Sequence, residues 1–395
     1  MKSSSMKSRA LRFVLLIGIM SFFADFTYEG SRGIIGSYLA ILGASAFVVA
    51  LVTGFGEFLG YALRLVSGGL SDRTGKFWSI TIFGYIIQMA SVPLLAFAGN
   101  WQMAAILIIL ERIGRATRNP PRDVMLSHAA KEMGYGWAFG LHEALDQFGA
   151  FFGPLAVAGI LALHGNYRLA FGVLLIPALV MLSILAVARL TYPHPEDMES
   201  TPSNIETKGL PRQFWLYLAG AILVAIGFAD FPFMAYHFQK LSIVSSDLIP
   251  VFYAVAMGVS GIGSLLFGRL FDRFGIMILI PLTILSALFA PLVFLGDFWA
   301  ALIGIALWGL GMGVHESIIP AAVALMVPVQ RRASAYGLFT AGYGIFWFLG
   351  SALIGVLYSV SLPLLITFCL IIELAAIPLF LLVRRQTGAA QTVVT

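Results

Sequence analysis

The chain has 395 residues, of which 59% are apolar and only 11% charged, with a mean hydropathy of +0.93. Soluble domains average about 25% charged residues, so a soluble globular protein is excluded, and apolar runs of roughly 20 residues point to membrane helices. The net charge of +5 does not form a nucleic-acid patch, and the one cysteine, Cys369, leaves no internal disulfide and no cysteine-based metal site.

The N-terminus, MKSSSMKSRALRFVLLIGIMSFFAD, is basic and then apolar, like a signal peptide. It lacks a small-x-small cleavage site, and Asp25 and Glu29 continue the helix, so it reads as an uncleaved first span. Apolar runs between polar punctuation predict twelve helices, at 11–38, 45–69, 77–98, 101–121, 136–163, 166–190, 213–239, 247–270, 276–295, 299–327, 332–358 and 361–383. The runs are continuous rather than alternating, which excludes a β-barrel. The expected fold is an all-α membrane protein of two pseudo-symmetric six-helix bundles, 1–190 and 213–395. The polar stretch 191–212 between them is a linker. Among Lys and Arg, Arg168 and Lys240 fall in loops on one side and Arg32, Arg64 and Arg112 within spans; the others lie on the opposite side. That asymmetry places both termini and the linker in the cytoplasm, with the protein in the plasma (inner) membrane.

The two halves repeat. Phe-Ala-Asp-Phe occurs at 23–26 and at 228–231. GGLSDRTGK ends the second span and GRLFDRFGI the eighth, setting Asp72 against Asp272. Gly140 and Gly153 match Gly337 and Gly350 at an offset of 197, and Gly114 and Pro121 match Gly313 and Pro320 at 199. A duplicated six-helix unit marks many secondary transporters.

Here the sequence resembles the major facilitator superfamily (MFS) over essentially its whole length. The loop motif G-x-L-x-D-R-x-G-R/K is present as Gly68, Leu70, Asp72, Arg73, Gly75 and Lys76, with a degenerate copy around Asp272 and Arg273; Phe77 replaces the second basic residue. Gly149, Gly153 and Pro154 resemble the antiporter signature of drug–proton exchangers, a spacing that also serves plain helix packing. Arg112 followed by Ala116 is a poor match to the fourth-span motif of those exporters. The resemblance implies alternating access about a central site lined by spans one, four, seven and ten. It also implies that Asp72, Arg73, Asp272 and Arg273 form a cytoplasmic gate, with Asp72 meeting Arg118 or Arg122 of RATRNPPRD.

Nine acids fall inside predicted spans: Asp25, Glu29, Glu57, Glu111, Glu143, Asp146, Asp230, Glu316 and Glu373. Each would cost about 3 kcal/mol facing lipid at a helix centre, so they must face a polar interior, pair with cations or carry protons. Ser21, Asp25, Tyr28, Glu29 and Arg32 form one stripe at helical spacing, as do Glu57, Tyr61 and Arg64; Glu143 and Asp146 lie three apart beside His142. Arg32, Arg64 and Arg112 can neutralise three acids of the first half, leaving an acidic excess. In the second half only His237 and His315 are cationic candidates. Asp25 can be read as a structural partner of Arg112 or Arg64, or as a transport residue. Glu29–Arg32 and Glu57–Arg64 can be static pairs, His315–Glu316 a metal or proton site, and Glu373 a packing residue.

The absence of a G-x-x-x-x-G-K-S/T loop and of a catalytic constellation argues against an ATP-driven pump and an enzyme. The expected function is secondary active transport of a small solute, coupled to a proton or other ion, by a monomer without cofactor. The preferred substrate is cationic, zwitterionic or metal-containing, with efflux slightly ahead of uptake. Asp25, Glu29, Arg32, Glu57, Tyr61, Arg64, Arg112, Glu143, Asp146, Asp230, His315 and Glu316 are the site candidates. Asp25, Asp230, His315 and Glu316 are those for a metal. Alternatives are an uptake symporter, a ferroportin-like divalent-metal exporter, or a receptor or lipid-handling protein of the same fold.

Overall fold

The computed structural model describes residues 2–133, 135–193, 210–327 and 332–392. It omits the side chains of 2–7, 72, 128–133, 135–140, 265, 268, 272, 315–321, 324–325, 332–334 and 385–392. Most of the expected linker, 194–209, lies outside the described residues.

Among the described residues the regular structure is helical. The first half contains α1 (Lys2–Ile41), α2 (Ala46–Thr74), α3 (Phe77–Leu94), α4 (Trp101–Met133), α5 (Tyr135–His164), α6 (Tyr167–Val173) and α7 (Leu175–Thr191). The second contains α8 (Arg212–Gly227), α9 (Phe231–Leu241), α10 (Ile249–Phe274), α11 (Leu279–Ala287), α12 (Phe289–Leu295), α13 (Phe298–Met326), α14 (Arg332–Val360), α15 (Leu362–Leu374) and α16 (Ala376–Thr392). The pairs α6/α7, α11/α12 and α15/α16 are each one span kinked at a single residue, Leu174, Leu288 and Ala375, that keeps helical dihedrals. Ten stretches are long and apolar enough to cross a membrane, and Phe298–Val314 of α13 is a shorter apolar helix. The remaining one, α4, carries the charges Glu111, Arg112, Arg115, Arg118 and Arg122 within 33 residues. These make the expected twelve spans.

Helix ends follow local chemistry. The Asn166 side chain accepts from the Arg168 and Leu169 amides to start α6, and Asp297 accepts from Ala300 to start α13. In the D-R-x-G loops Gly75 and Gly275 have φ of +64° and +59°. A side chain there would be strained, which accounts for the glycine of both motif copies.

The chain forms two compact units: Met1–Gly43, Leu59–Pro202 and Ser245–Ala254 make one, and Ala44–Phe58, Ser203–Val244 and Val255–Thr395 the other. The boundary therefore falls at more places than the linker. The stretches 44–58 and 245–254 begin the second and eighth spans. In the first unit α1 packs on α5, α7, α4 and α3 around Phe13, Ile17, Met20, Met89 and Met181. In the second, α8 is central, packed on α14, α15 and α16.

The duplication is visible atom by atom. Ser67 Oγ donates to the Ala116 carbonyl (2.9 Å) in the first unit, and Ser264 Oγ to the Gly313 carbonyl (3.3 Å) in the second, both across 49 residues. The second span thus touches the fourth as the eighth touches the tenth.

Candidate functional site

The polar stripe on α1 is buried throughout: Ser21, Asp25, Tyr28, Glu29 and Arg32 are each at most 7% exposed. It faces α4, which brings inward three arginines that the charge count sets on the cytoplasmic side. Arg118 is 1% exposed; its Nη2 lies 3.6 Å from Asp25, its Nε donates to Gln88 Oε1 at 2.7 Å, and its Nη1 donates to the Tyr85 hydroxyl at 3.0 Å. Gln88 in turn donates to Glu111 (2.9 Å). Asp25 therefore pairs with Arg118, where the sequence offered Arg112 or Arg64.

One turn along α1, Tyr28 collects guanidinium groups. Arg112 and Arg32 donate to its hydroxyl, the latter at 3.2 Å. Arg115 lies over its ring at 4.2 Å and Arg112 at 5.1 Å. Two carboxylates accompany the three cations: Glu111 lies 3.6 Å from Arg112, and Glu29 lies 3.9 Å from Arg115. The Tyr253 hydroxyl, on the part of α10 that belongs to this unit, donates to Glu29 at 2.5 Å. The Arg115 side chain is 23% exposed and its Nε has no hydrogen-bond partner. The acidic excess expected for the first half is absent around Tyr28, because Arg115 and Arg118 join Arg32 and Arg112.

At the other end of the stripe, Ser21 shares a hydrogen bond with His142 Nε2 (2.8 Å) and accepts one from Arg122 (3.2 Å). His142 Nδ1 is 3.6 Å from Asp146. Ligand atoms of His142, Glu143 and Asp146 lie within 4.8 Å of one another. Glu143, expected on the interior face, is exposed and accepts from Gln147 of its own helix (3.0 Å). Arg122 bonds Asp123 (2.8 Å). Arg64 lies over Tyr61 at 5.5 Å; Glu57, half-buried, belongs to the other unit. Arg73 and Arg273 are exposed. The side chains of Asp72, Asp272, His315 and Glu316 lie outside the described residues, so the expected contacts of Asp72 and the His315–Glu316 pair fall outside them too.

Asp230 has a different setting from its twin. The chain is non-helical at Phe228–Asp230, and Asp230 is the N-cap of α9, accepting from the Phe231 amide at 3.0 Å. Trp308 Nε1 donates to the carbonyl of Ala229 within that break (2.8 Å), and its ring stacks on Phe228. The sequence carried a signal for this: Asp followed two residues later by Pro232 is a helix start. It escaped the reading because the surrounding run is uniformly apolar.

The glycines of the fifth span press α5 on α1. A Cβ at Gly149 would meet the Phe22 carbonyl, and one at Gly153 the Phe26 carbonyl. Gly350 sits likewise on Ile226 of α8. Helix contact accounts for these glycines in both units.

A twelve-span helical protein built by duplication, with arginines and carboxylates buried together inside one unit, has the build of a secondary transporter. The sequence matches the family model of the Major Facilitator Superfamily over residues 17–313 and 231–393, and the chain belongs to that superfamily. It is 42% identical over 382 residues to an uncharacterized protein of Mycobacterium tuberculosis, covering 95% of this chain and 93% of that one. It is 24% identical over 361 residues to an uncharacterized MFS-type transporter of Methanocaldococcus jannaschii, covering 88% and 89%. The fold is similar to the nucleoside transporter NupG (TM-score 0.72, 16% identity, 94% and 98% covered). It is also similar to a POT family transporter in complex with 5-aminolevulinic acid (TM-score 0.72, 12% identity, 94% and 95% covered).

Proposed function

We propose that this transporter carries a small solute bearing a carboxylate or phosphate, anionic or zwitterionic overall, and that Arg32, Arg112 and Arg115 around Tyr28 receive the anionic group. Transport is driven by a proton or other ion gradient, by alternating access, in a monomer of the plasma membrane with both termini in the cytoplasm. Its partners are the solute, the coupling ion and the lipid bilayer. The observation that carries this reading is Arg115: partly exposed, lying over Tyr28, and with Nε lacking a hydrogen-bond partner. A guanidinium in that position presents donors to a carboxylate or phosphate in the geometry such groups favour. A purely cationic substrate would meet three guanidinium groups and two carboxylates, a surplus of like charge. The α5 glycines, explained by packing, give no direction to the transport.

The test is a thermal-shift screen of the purified protein with dicarboxylates, phosphate esters, amino acids, organic cations and divalent metals, since a ligand of the native state raises its melting point. Anionic or zwitterionic compounds should stabilise the protein, and Arg115→Gln should weaken that binding about tenfold or more, the loss of a charge-assisted hydrogen bond. Stabilisation by cations alone, or equal binding by Arg115→Gln, overturns the reading. A second reading, divalent-metal export, draws on the proximity of His142, Glu143 and Asp146. It has Arg122 against it, held on the same Ser21 as His142. A Mn²⁺ shift abolished by Asp146→Asn and retained in Arg115→Gln would favour it.

A further inference from the structure

The second unit contains a buried acid that the site above does not use. Glu373 of α15 is 0% exposed, and neither carboxyl oxygen has a hydrogen-bond partner. Its place is built: a Cβ at Gly227 would lie 2.8 Å from Glu373 Cγ, so the glycine that ends α8 makes room for the acid. The polar neighbour is the Ser286 hydroxyl of α11.

The elements packed on α15 are α8, α11, α12, α14 and α16. Their titratable and charged residues are few. α8 has Arg212 and Tyr217, more than two turns before Gly227; α11 and α12 have none; α14 has Arg332, Tyr336, Tyr343 and Tyr358. α16 has Arg384 and Arg385, eleven and twelve residues further on, and α15 itself has Cys369, one turn before. Among the described residues no ion pair reaches Glu373. A carboxylate there would have no counter-ion among the described residues, with the Ser286 hydroxyl as its polar neighbour. It would also stand beside the carbonyl end of α8, which carries partial negative charge. A neutral carboxylic acid avoids both penalties.

We propose that Glu373 is the proton-carrying carboxyl of the second unit: a neutral acid seated under the end of α8, releasing its proton to entering water when the break at Phe228–Asp230 moves off it. Its part in transport rests on the ion-coupled reading above; its protonation does not.

Two measurements on the full chain in lipid nanodiscs test it without any substrate. Infrared spectra at neutral pH should show the C=O stretch of a protonated carboxyl, absent from Glu373→Gln. Unfolding would expose Glu373 to water, where it ionises above about pH 4.3. Unfolding then releases a proton, so this residue makes the wild type less stable as pH rises. The melting point of Glu373→Gln should therefore gain on wild type progressively from pH 5 to 8 on the scale of that linkage, while Glu373→Asp keeps the wild-type slope. A spectrum unchanged by Glu373→Gln, or parallel melting curves across pH, overturns the proposal. Failure of the anion screen leaves both measurements standing, and success of the screen does not produce them.

Discussion

Tyr28 holds the arginine cluster together. Its hydroxyl accepts from two guanidinium groups and its ring lies under a third. Tyr28→Phe removes the acceptor while the buried donors remain, and a hydrogen bond to a charged group is worth about 1.5–3 kcal/mol. The variant should be destabilised by that amount, so that it melts earlier, and bind the anionic ligand more weakly; an unchanged melting point would mean that the arginines hold themselves in place through other contacts. The two copies of Phe-Ala-Asp-Phe separate at the same scale. Asp230→Ala should cost about 1 kcal/mol, the usual loss for a helix N-cap, and Asp230→Asn close to nothing, since Asn caps as well as Asp. Asp25→Asn instead strips a buried guanidinium of its partner and should cost about 3–5 kcal/mol. Thermal melting of the three variants in detergent checks the order, and an equal loss for Asp230→Asn and Asp25→Asn would contradict the division of roles. The sequence showed that both aspartates were unusual. It did not show that one pairs and the other caps, because that depends on Arg118 arriving from α4 and on the helix breaking directly after Gly227. Tyr253 was still less visible, an aromatic residue in an apolar run whose partner lies 224 positions earlier.

Among the elements, the glycines carry the design of both units. The first span meets the fifth at Gly149 and Gly153, and the seventh meets the eleventh at Gly350, each time with backbone against backbone. Gly84 and Gly114 do the same between α3 and α4, where a Cβ on Gly114 would fall 2.7 Å from the Gly84 carbonyl and 2.6 Å from the Gln88 amide. Gly114→Ala should therefore destabilise by about 1–3 kcal/mol through overpacking. It should also weaken ligand binding, because a shift of α4 at Gly114 would move Arg112 and Arg115 on either side of it. Gly60→Ala, with nothing within 4 Å of its Cβ, serves as the control; melting points that fall equally for both would sink the packing argument. Much of this was legible, because small residues recur at fixed offsets in an apolar background. The length of α4 was not. Its two consecutive prolines, Pro120 and Pro121, read as an end, yet the helix continues to Met133. That continuation carries Arg122 to Ser21 and turns one supposed loop charge into a site charge.

At the scale of the whole molecule the duplication is carried by the paired D-R-x-G loops, whose Gly75 and Gly275 share a left-handed conformation. An even number of spans in each repeat keeps the two repeats in the same orientation, and the Lys and Arg bias then assigns the sides. His164 is exposed at the end of α5 and Lys76 is exposed between α2 and α3, on opposite sides of the membrane if that assignment holds. The native Cys369 is 0% exposed, so it can remain in place without reacting. In intact cells a membrane-impermeant maleimide should label His164→Cys and leave Lys76→Cys untouched until the membrane is opened. The reverse pattern would invert the orientation. Labelling of both in intact cells would place the two loops on one side and break the six-plus-six topology on which the repeat argument stands.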